Sequence, residues 1–213
     1  HPRKKNRPFA SGAIPINHGV IIAPLLFLMG ILITFFINKS FLIIILAYYF
    51  ITSAYSLILK RKVIIDICVL GCLYTIRIIG GGAATQIGIS FWLLGFSIFV
   101  FLSLAAVKRQ AELVDLKERG ISKSVGRSYN VDDLFLVSII AFIAGLISVL
   151  IIAMYVTSQE VLLLYSKPQI LWGVSCVHLC WIIKMVLVAY QGNMHDDPLI
   201  YAVKDRMSQF SLI

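Results

Sequence analysis

Six long apolar segments, parted by short connections that hold nearly all of the charge, leave this chain little choice of fold. They run roughly over 17–37, 41–59, 63–85, 89–107, 133–156 and 169–190. Each can cross a hydrocarbon layer of about 30 Å, which takes about 20 helical residues. No water in that layer satisfies backbone N–H and C=O groups, whereas a helix satisfies its own. The chain therefore reads as an all-α, polytopic transmembrane helical bundle of about six spans. Only 14% of the 213 residues are charged, where a soluble domain carries about a quarter.

The connections set the topology. Asn38-Lys39-Ser40 leaves room only for a tight antiparallel hairpin between the first two spans, and Gln86-Ile87-Gly88-Ile89-Ser90 does the same between the third and fourth. The net charge of +9 would suggest nucleic acid in a soluble chain. Here it is a topology signal, and no nucleic-acid partner is expected. Arg3, Lys4, Lys5, Arg7, Lys60, Arg61, Lys62, Lys108, Arg109, Lys117, Arg119, Lys123, Arg127, Lys204 and Arg206 fall on one side, against Lys39 and Lys167 on the other. That asymmetry makes the basic side cytoplasmic. Residues 1–213 read as one domain without internal repeats. The chain opens without Met in a basic run, as a piece cut from a longer protein would.

Several stretches could carry chemistry. The opening run supplies Arg3, Lys4, Lys5 and Arg7 between Pro2 and Pro8, either as a phosphate-binding loop or as a topogenic cluster. If the fourth helix continues past the membrane, Lys108, Glu112, Asp115 and Arg119 share a face at 4-3-4 spacing. Carboxylates at Glu112 and Asp115 could then hold a hard divalent cation whose other positions are filled by water and phosphate. Lys108 and Arg109 could hold the phosphate. A solvated helix end laced with ion pairs explains the same spacing. Tyr55 and Lys60 close the second span, where a snorkelling lysine and an interfacial tyrosine are also at home.

Asp66 and Arg77 lie within the third span and Lys184 within the sixth. Ionisable groups at such places are costly and face a polar interior. Eleven residues separate Asp66 from Arg77, about 16 Å along the axis, so they can mark one polar wall without pairing. Gly80-Gly81-Gly82 suits close helix packing. Cys68 with Cys72, and Cys176 with Cys180, stand at i, i+4 spacing inside apolar runs, as small fillers rather than ligands. His195-Asp196-Asp197-Pro198 suggests either a metal site or a helix start.

Together these pieces resemble the UbiA superfamily of intramembrane prenyltransferases. His1-Pro2-x-Lys4-x-x-Arg7-Pro8-x-x-x-Gly12 looks like the segment after that family's first aspartate-rich motif, and Tyr55 through Lys60 looks like its tyrosine–lysine stretch. Lys108-Arg109-x-Ala111-Glu112-Leu113 and Asp197-Pro198…Asp205-Arg206 resemble the branch that contains decaprenyl-phosphate phosphoribosyltransferase. The same two stretches also resemble membrane proteins in which such a domain follows a haloacid-dehalogenase-like phosphatase domain, which implies a parent protein fused in that way. The resemblance implies two further helices and an Asn-Asp-x-x-Asp motif upstream of His1, which would carry the main metal ligands. It departs from ordinary members at the second motif, where Lys108, Arg109 and Glu112 replace aspartates. Fewer carboxylates and more cations suit a phosphorylated sugar donor better than a prenyl diphosphate held by two metal ions.

The resemblance thus implies a Mg2+-dependent transferase in the inner (plasma) membrane, active on its cytoplasmic side. It would transfer a phosphoribosyl group onto a polyprenyl phosphate. Lys4, Arg7, Tyr55, Lys60, Arg77, Lys108 and Arg109 would bind substrate or phosphate, and Glu112 and Asp115 would assist catalysis and the metal. Prenyl transfer from a polyprenyl diphosphate to an aromatic or lipid acceptor is the alternative within the family. A transporter or non-catalytic lipid-binding bundle is the alternative outside it, although no inverted repeat is visible.

Overall fold

Each apolar segment becomes a helix in the computed structural model, which describes residues 8–9, 11–123, 126–194, 197–205 and 208. In chain order these are α1 (Ile16–Ile37), α2 (Lys39–Leu57), α3 (Ile65–Thr85), α4 (Phe91–Glu118), α5 (Leu134–Val156) and α7 (Leu171–Tyr190). All six are long and apolar enough to cross a membrane. Among the described residues there are also two short α-helices, α6 (Gln159–Leu164) and α8 (Pro198–Lys204). Among the described residues there is no strand, only an isolated bridge between Lys123 and Asn130.

The turns follow from their residues. Asn38 links α1 to α2; its side chain accepts from the Phe41 N–H at 2.7 Å and donates to the Ala83 carbonyl at 2.6 Å. One amide thus caps α2 and ties the hairpin to the far end of α3. Gln86 ends α3 in the left-handed conformation, and Ser90 caps α4 through the Trp92 N–H. Both tight hairpins expected from the sequence are present.

The core lies around α4, which touches α3, α5, α7 and α8. Ala105, Ala106, Val107, Ala141 and Ala189 are buried there, because small side chains let helices approach where lipid offers no hydrophobic drive between them. Ser103 donates to the Ala141 carbonyl at 2.7 Å, and Gln110 donates to the Val186 carbonyl at 3.3 Å, so α5 and α7 are both bonded to α4. By contrast, α1 buries only Thr34 and α2 buries no residue fully. The cysteines are unpaired and lie on the outer surface rather than filling the core.

Gly71 sets how near α3 comes to α4. A Cβ there would stand 3.2 Å from the backbone N and Cα of Leu102, atoms that cannot turn aside. Gly71→Ala is expected to destabilise the fold by about 1–3 kcal/mol, the usual cost of overpacking. Denaturant unfolding of the detergent-solubilised protein measures it, and an unchanged midpoint would mean the two helices can part freely.

Past residue 107, α4 continues without a break to Glu118. That extension carries the charged residues of the Lys-Arg-x-Ala-Glu stretch to the same end of the bundle as the start of α3 and the end of α2.

Candidate functional site

Asp66 lies in the first turn of α3 with no solvent access. A buried carboxylate is tolerated only with partners, and Asp66 has them on three elements. Tyr55 Oη, from α2, donates to Oδ1 at 2.6 Å. Arg109 Nε, from α4, is 2.9 Å from Oδ2, and Arg127 Nε, from the α4–α5 connection, is 3.9 Å from the same oxygen. Arg109 is fully buried and also pairs with Glu112 through Nη1. Arg127 closes the circuit, with Nη1 3.1 and 3.0 Å from the two oxygens of Glu112. Two guanidinium groups thus balance two carboxylates at the basic end of the bundle.

The α4–α5 connection is fastened over this network. Tyr129 is buried, its ring lies 5.5 Å from the Arg109 guanidinium carbon, and its hydroxyl accepts the Ile64 N–H at 3.0 Å. Burial, outweighing the Ile64 bond, pushes the Tyr129 phenol up to about 12. For Arg127, burial favours the neutral form, yet Glu112, the Tyr55 hydroxyl and Asp66 hold its pKa above the ordinary value. Ile64 itself has φ +68° and ψ −49°, and the Ile65 N–H donates to the Val63 carbonyl at 2.8 Å. That is a γ-turn of the strained, positive-φ kind, in a β-branched residue. The strain is held directly beside Asp66.

Lys108 points elsewhere. Its ammonium pairs with Asp197 at the start of α8, above a cleft lined by Leu70 and Tyr74 of α3, Phe101, Leu104 and Ala105 of α4, and Pro198 and Leu199 of α8. The other end of α8 is anchored by Lys184, 2.6 Å from Asp205. The Lys184 hydrogen bond, ahead of the opposing effect of burial, lowers the Asp205 pKa, and Ser208 adds two further bonds at 2.8 Å. Lys184 is therefore explained by a local partner rather than by a transport path.

The remaining expected residues are more scattered. Lys60 lies in the 3-10 turn Leu59–Arg61 that ends α2, partly exposed. Asp115 pairs with Arg119 at 2.9 Å on the outer face of α4. Arg77 is exposed on α3, with Nη2 2.6 Å from the Tyr48 hydroxyl and its guanidinium against the rings of Tyr48 and Tyr74. An arginine on a helix leans toward the helix N-terminus, so it reaches back along α3 to α2. Asp66 and Arg77 both find tyrosines of α2, which makes the α2–α3 seam the polar wall expected from their spacing. Lys4, Arg7, His195 and Asp196 lie outside the described residues.

Glu112 and Asp115 do not by themselves fit a divalent cation. Each carboxylate faces an arginine, and the described residues contain no group of three or more His, Cys, Asp or Glu side chains able to hold a metal. Arg109, expected to bind phosphate, is enclosed and serves the two carboxylates instead. Sequence reasoning gave no site role to Arg127 or Tyr129, and it offered Asp197 only as part of a metal site or a helix start, of which the structure shows the helix start. Arg127 and Tyr129 stand in an irregular connection with no periodicity to aim them, and Asp197 finds Lys108 across 89 residues.

The UbiA prenyltransferase family model matches residues 1–198. The chain belongs to that family. Family members are transferases that act on polyprenyl phosphates and membrane lipids, generally with a divalent metal. With its six apolar helices, this chain is a multi-pass membrane protein. It is 32% identical over 209 residues to the nodulation protein NoeC of Azorhizobium caulinodans, covering 98% of this chain and 68% of the relative. It is 29% identical over 218 residues to a decaprenyl-phosphate phosphoribosyltransferase of Mycolicibacterium smegmatis, covering 98% and 66%. An uncharacterized protein, y4nM, of Sinorhizobium fredii is 28% identical over 211 residues, but this chain spans only 41% of its length.

Proposed function

We propose that the chain is the transmembrane part of a transferase that moves a phosphoribosyl group onto a polyprenyl phosphate. The observation that carries this reading is similarity across 98% of the chain to a protein named for that reaction. The cations and acids gathered at one end of an otherwise apolar bundle support it. An oxygen of the lipid phosphate forms a bond to the anomeric carbon of the sugar, and the bond from that carbon to diphosphate breaks. Negative charge builds on the departing diphosphate, so cations fixed in advance lower the barrier.

Lys4, Arg7, Lys60 and Lys108 are the proposed phosphate contacts. Glu112 faces the donor ribose, held in place by Arg109 and Arg127, which act as positioning residues. Tyr55 and Asp66 in turn orient Arg109, and Asp115 steadies the end of α4 through Arg119. Arg77, deeper along α3, belongs to the wall beside the lipid. Mg2+ is the cation proposed to accompany the diphosphate, brought with the donor rather than caged by Glu112 and Asp115. The basic side is proposed to be cytoplasmic and the membrane the inner (plasma) membrane.

The family's description favours a second reading, prenyl transfer from a polyprenyl diphosphate to an aromatic or lipid acceptor. Membranes containing the full-length protein, given labelled phosphoribosyl diphosphate and polyprenyl phosphate, are expected to form a labelled lipid. Product formed only from a polyprenyl diphosphate and an acceptor would select prenyl transfer. Lipid binding without turnover in either assay would leave a non-catalytic bundle.

A further inference from the structure

We infer that Tyr129 is a positioning residue for the basic connection between α2 and α3: its hydroxyl holds Ile64 in the strained turn and so sets the aim of Lys60, Arg61 and Lys62. The part those cations play in transfer rests on the phosphoribosyl-transfer reading above; the hold itself rests on geometry. Most of this connection is bonded locally. The Arg61 N–H donates to the Ile58 carbonyl at 3.2 Å, the Lys62 N–H to Leu59 at 3.0 Å, and the Asp66 N–H to Lys62 at 3.1 Å. Ile64 is the exception, at φ +68°, where a β-branched residue is a steric outlier. Its side chain is 40% exposed, so its own burial does little to offset that strain. The Tyr129 hydroxyl, accepting the Ile64 N–H at 3.0 Å, is the one hydrogen bond among the described residues that joins this connection to the one between α4 and α5.

The side that holds is firmly built. Tyr129 has no solvent access and its ring lies against the Arg109 guanidinium. The next residue, Asn130, bridges to Lys123 and closes a capping box with Asp133, whose Oδ2 accepts the Asn130 N–H at 2.8 Å. The Val131 N–H donates to the Ser122 carbonyl at 3.1 Å. Two residues before Tyr129, Arg127 meets Glu112. A single hydroxyl thus ties a well-bonded connection to a strained one. Without it Ile64 can return to negative φ, and rotation about that one residue swings Lys60, Arg61 and Lys62 relative to α3. The cations of one connection are therefore aimed by the same segment that places Arg127 on Glu112.

Tyr129→Phe in the full-length protein keeps the ring and removes only the hydroxyl. Trypsin digestion in detergent, resolved site by site by mass spectrometry, should show cleavage after Lys60, Arg61 and Lys62 rising about two- to tenfold, the population shift that one neutral hydrogen bond sets. Cleavage after Lys117, Arg119 and Lys123 should stay as in the parent. In the transfer assay, KM for phosphoribosyl diphosphate should rise by a similar factor while kcat stays within about twofold, the mark of lost binding rather than lost chemistry. Ile64→Gly relieves the strain, because glycine takes positive φ at no steric cost. Alone it should be cleaved at the three sites no faster than the parent. Added to Tyr129→Phe, it should return cleavage and KM to within about twofold of the parent. No rise at the three sites, an equal rise after Lys117, Arg119 and Lys123, or no recovery with Ile64→Gly would each overturn the proposal. The digestion needs no turnover, so the two readings fail separately. Altered cleavage in a protein that transfers no phosphoribosyl group keeps the hold and removes the reaction, whereas transfer with unaltered cleavage does the reverse.

Discussion

Asp66→Asn is expected to lower the stability of the folded protein by about 3–5 kcal/mol, the cost of leaving a buried charge without its counter-charge. Asparagine has the same shape and can still accept the Tyr55 hydroxyl, so the loss isolates the carboxylate's charge from its volume. The damage falls on Arg109, which has no solvent access and keeps as counter-charge Glu112, itself shared with Arg127. Tyr55→Phe, which removes one hydrogen bond to a charged group, should cost about 1.5–3 kcal/mol. Adding Arg109→Gln to Asp66→Asn should cost less than the sum of the two, because each change relieves the orphan left by the other. Denaturant unfolding in detergent provides the measurement. A loss below about 1 kcal/mol for Asp66→Asn would mean that water reaches the network and that it is not buried in the membrane-embedded protein.

The second large effect concerns chemistry rather than stability. Glu112→Gln should reduce phosphoribosyl transfer by about a hundredfold or more, the scale for losing one preorganised polar group at a reacting centre. Stability should change far less than with Asp66→Asn, because 32% of the Glu112 side chain is exposed and Arg109 keeps Asp66. Glu112→Asp should recover part of the rate, since it restores the charge at a shorter reach. The contrast between the two sites is the useful part. Asp66 should register mainly in unfolding and Glu112 mainly in turnover, although both touch the same two arginines. Equal loss of stability at both positions, with turnover per folded molecule unchanged at Glu112, would make the whole cluster a structural staple.

The cluster was only half visible before folding. The face carrying Lys108, Glu112, Asp115 and Arg119 follows from helical spacing once α4 is allowed to extend, and the helix does run to Glu118. Spacing along one helix does not say what each residue meets. Arg109, one position round from Lys108, turns inward to Asp66, while Lys108 turns to α8 and Asp115 to Arg119. Spacing named no partner for Asp66, because the groups it meets are 11, 43 and 61 residues away, on three separate elements. Arg127 and Tyr129 carried no signal beyond composition, since a connection without period gives side chains no predictable direction.

Hydropathy and spacing of charge were enough for the number of spans, both tight hairpins and the collection of cations at one end. Each of those is a property of a stretch of about 20 residues transferring into hydrocarbon. The pairing of Asp66 with Arg109, the latch of Tyr129 on a strained turn and the closing of Lys108 by Asp197 came only from packing. They depend on how each helix is rotated about its axis and how near small residues such as Gly71 let it approach. A rotation of one residue, about 100°, would exchange every partner in the site while leaving the hydropathy of the chain untouched.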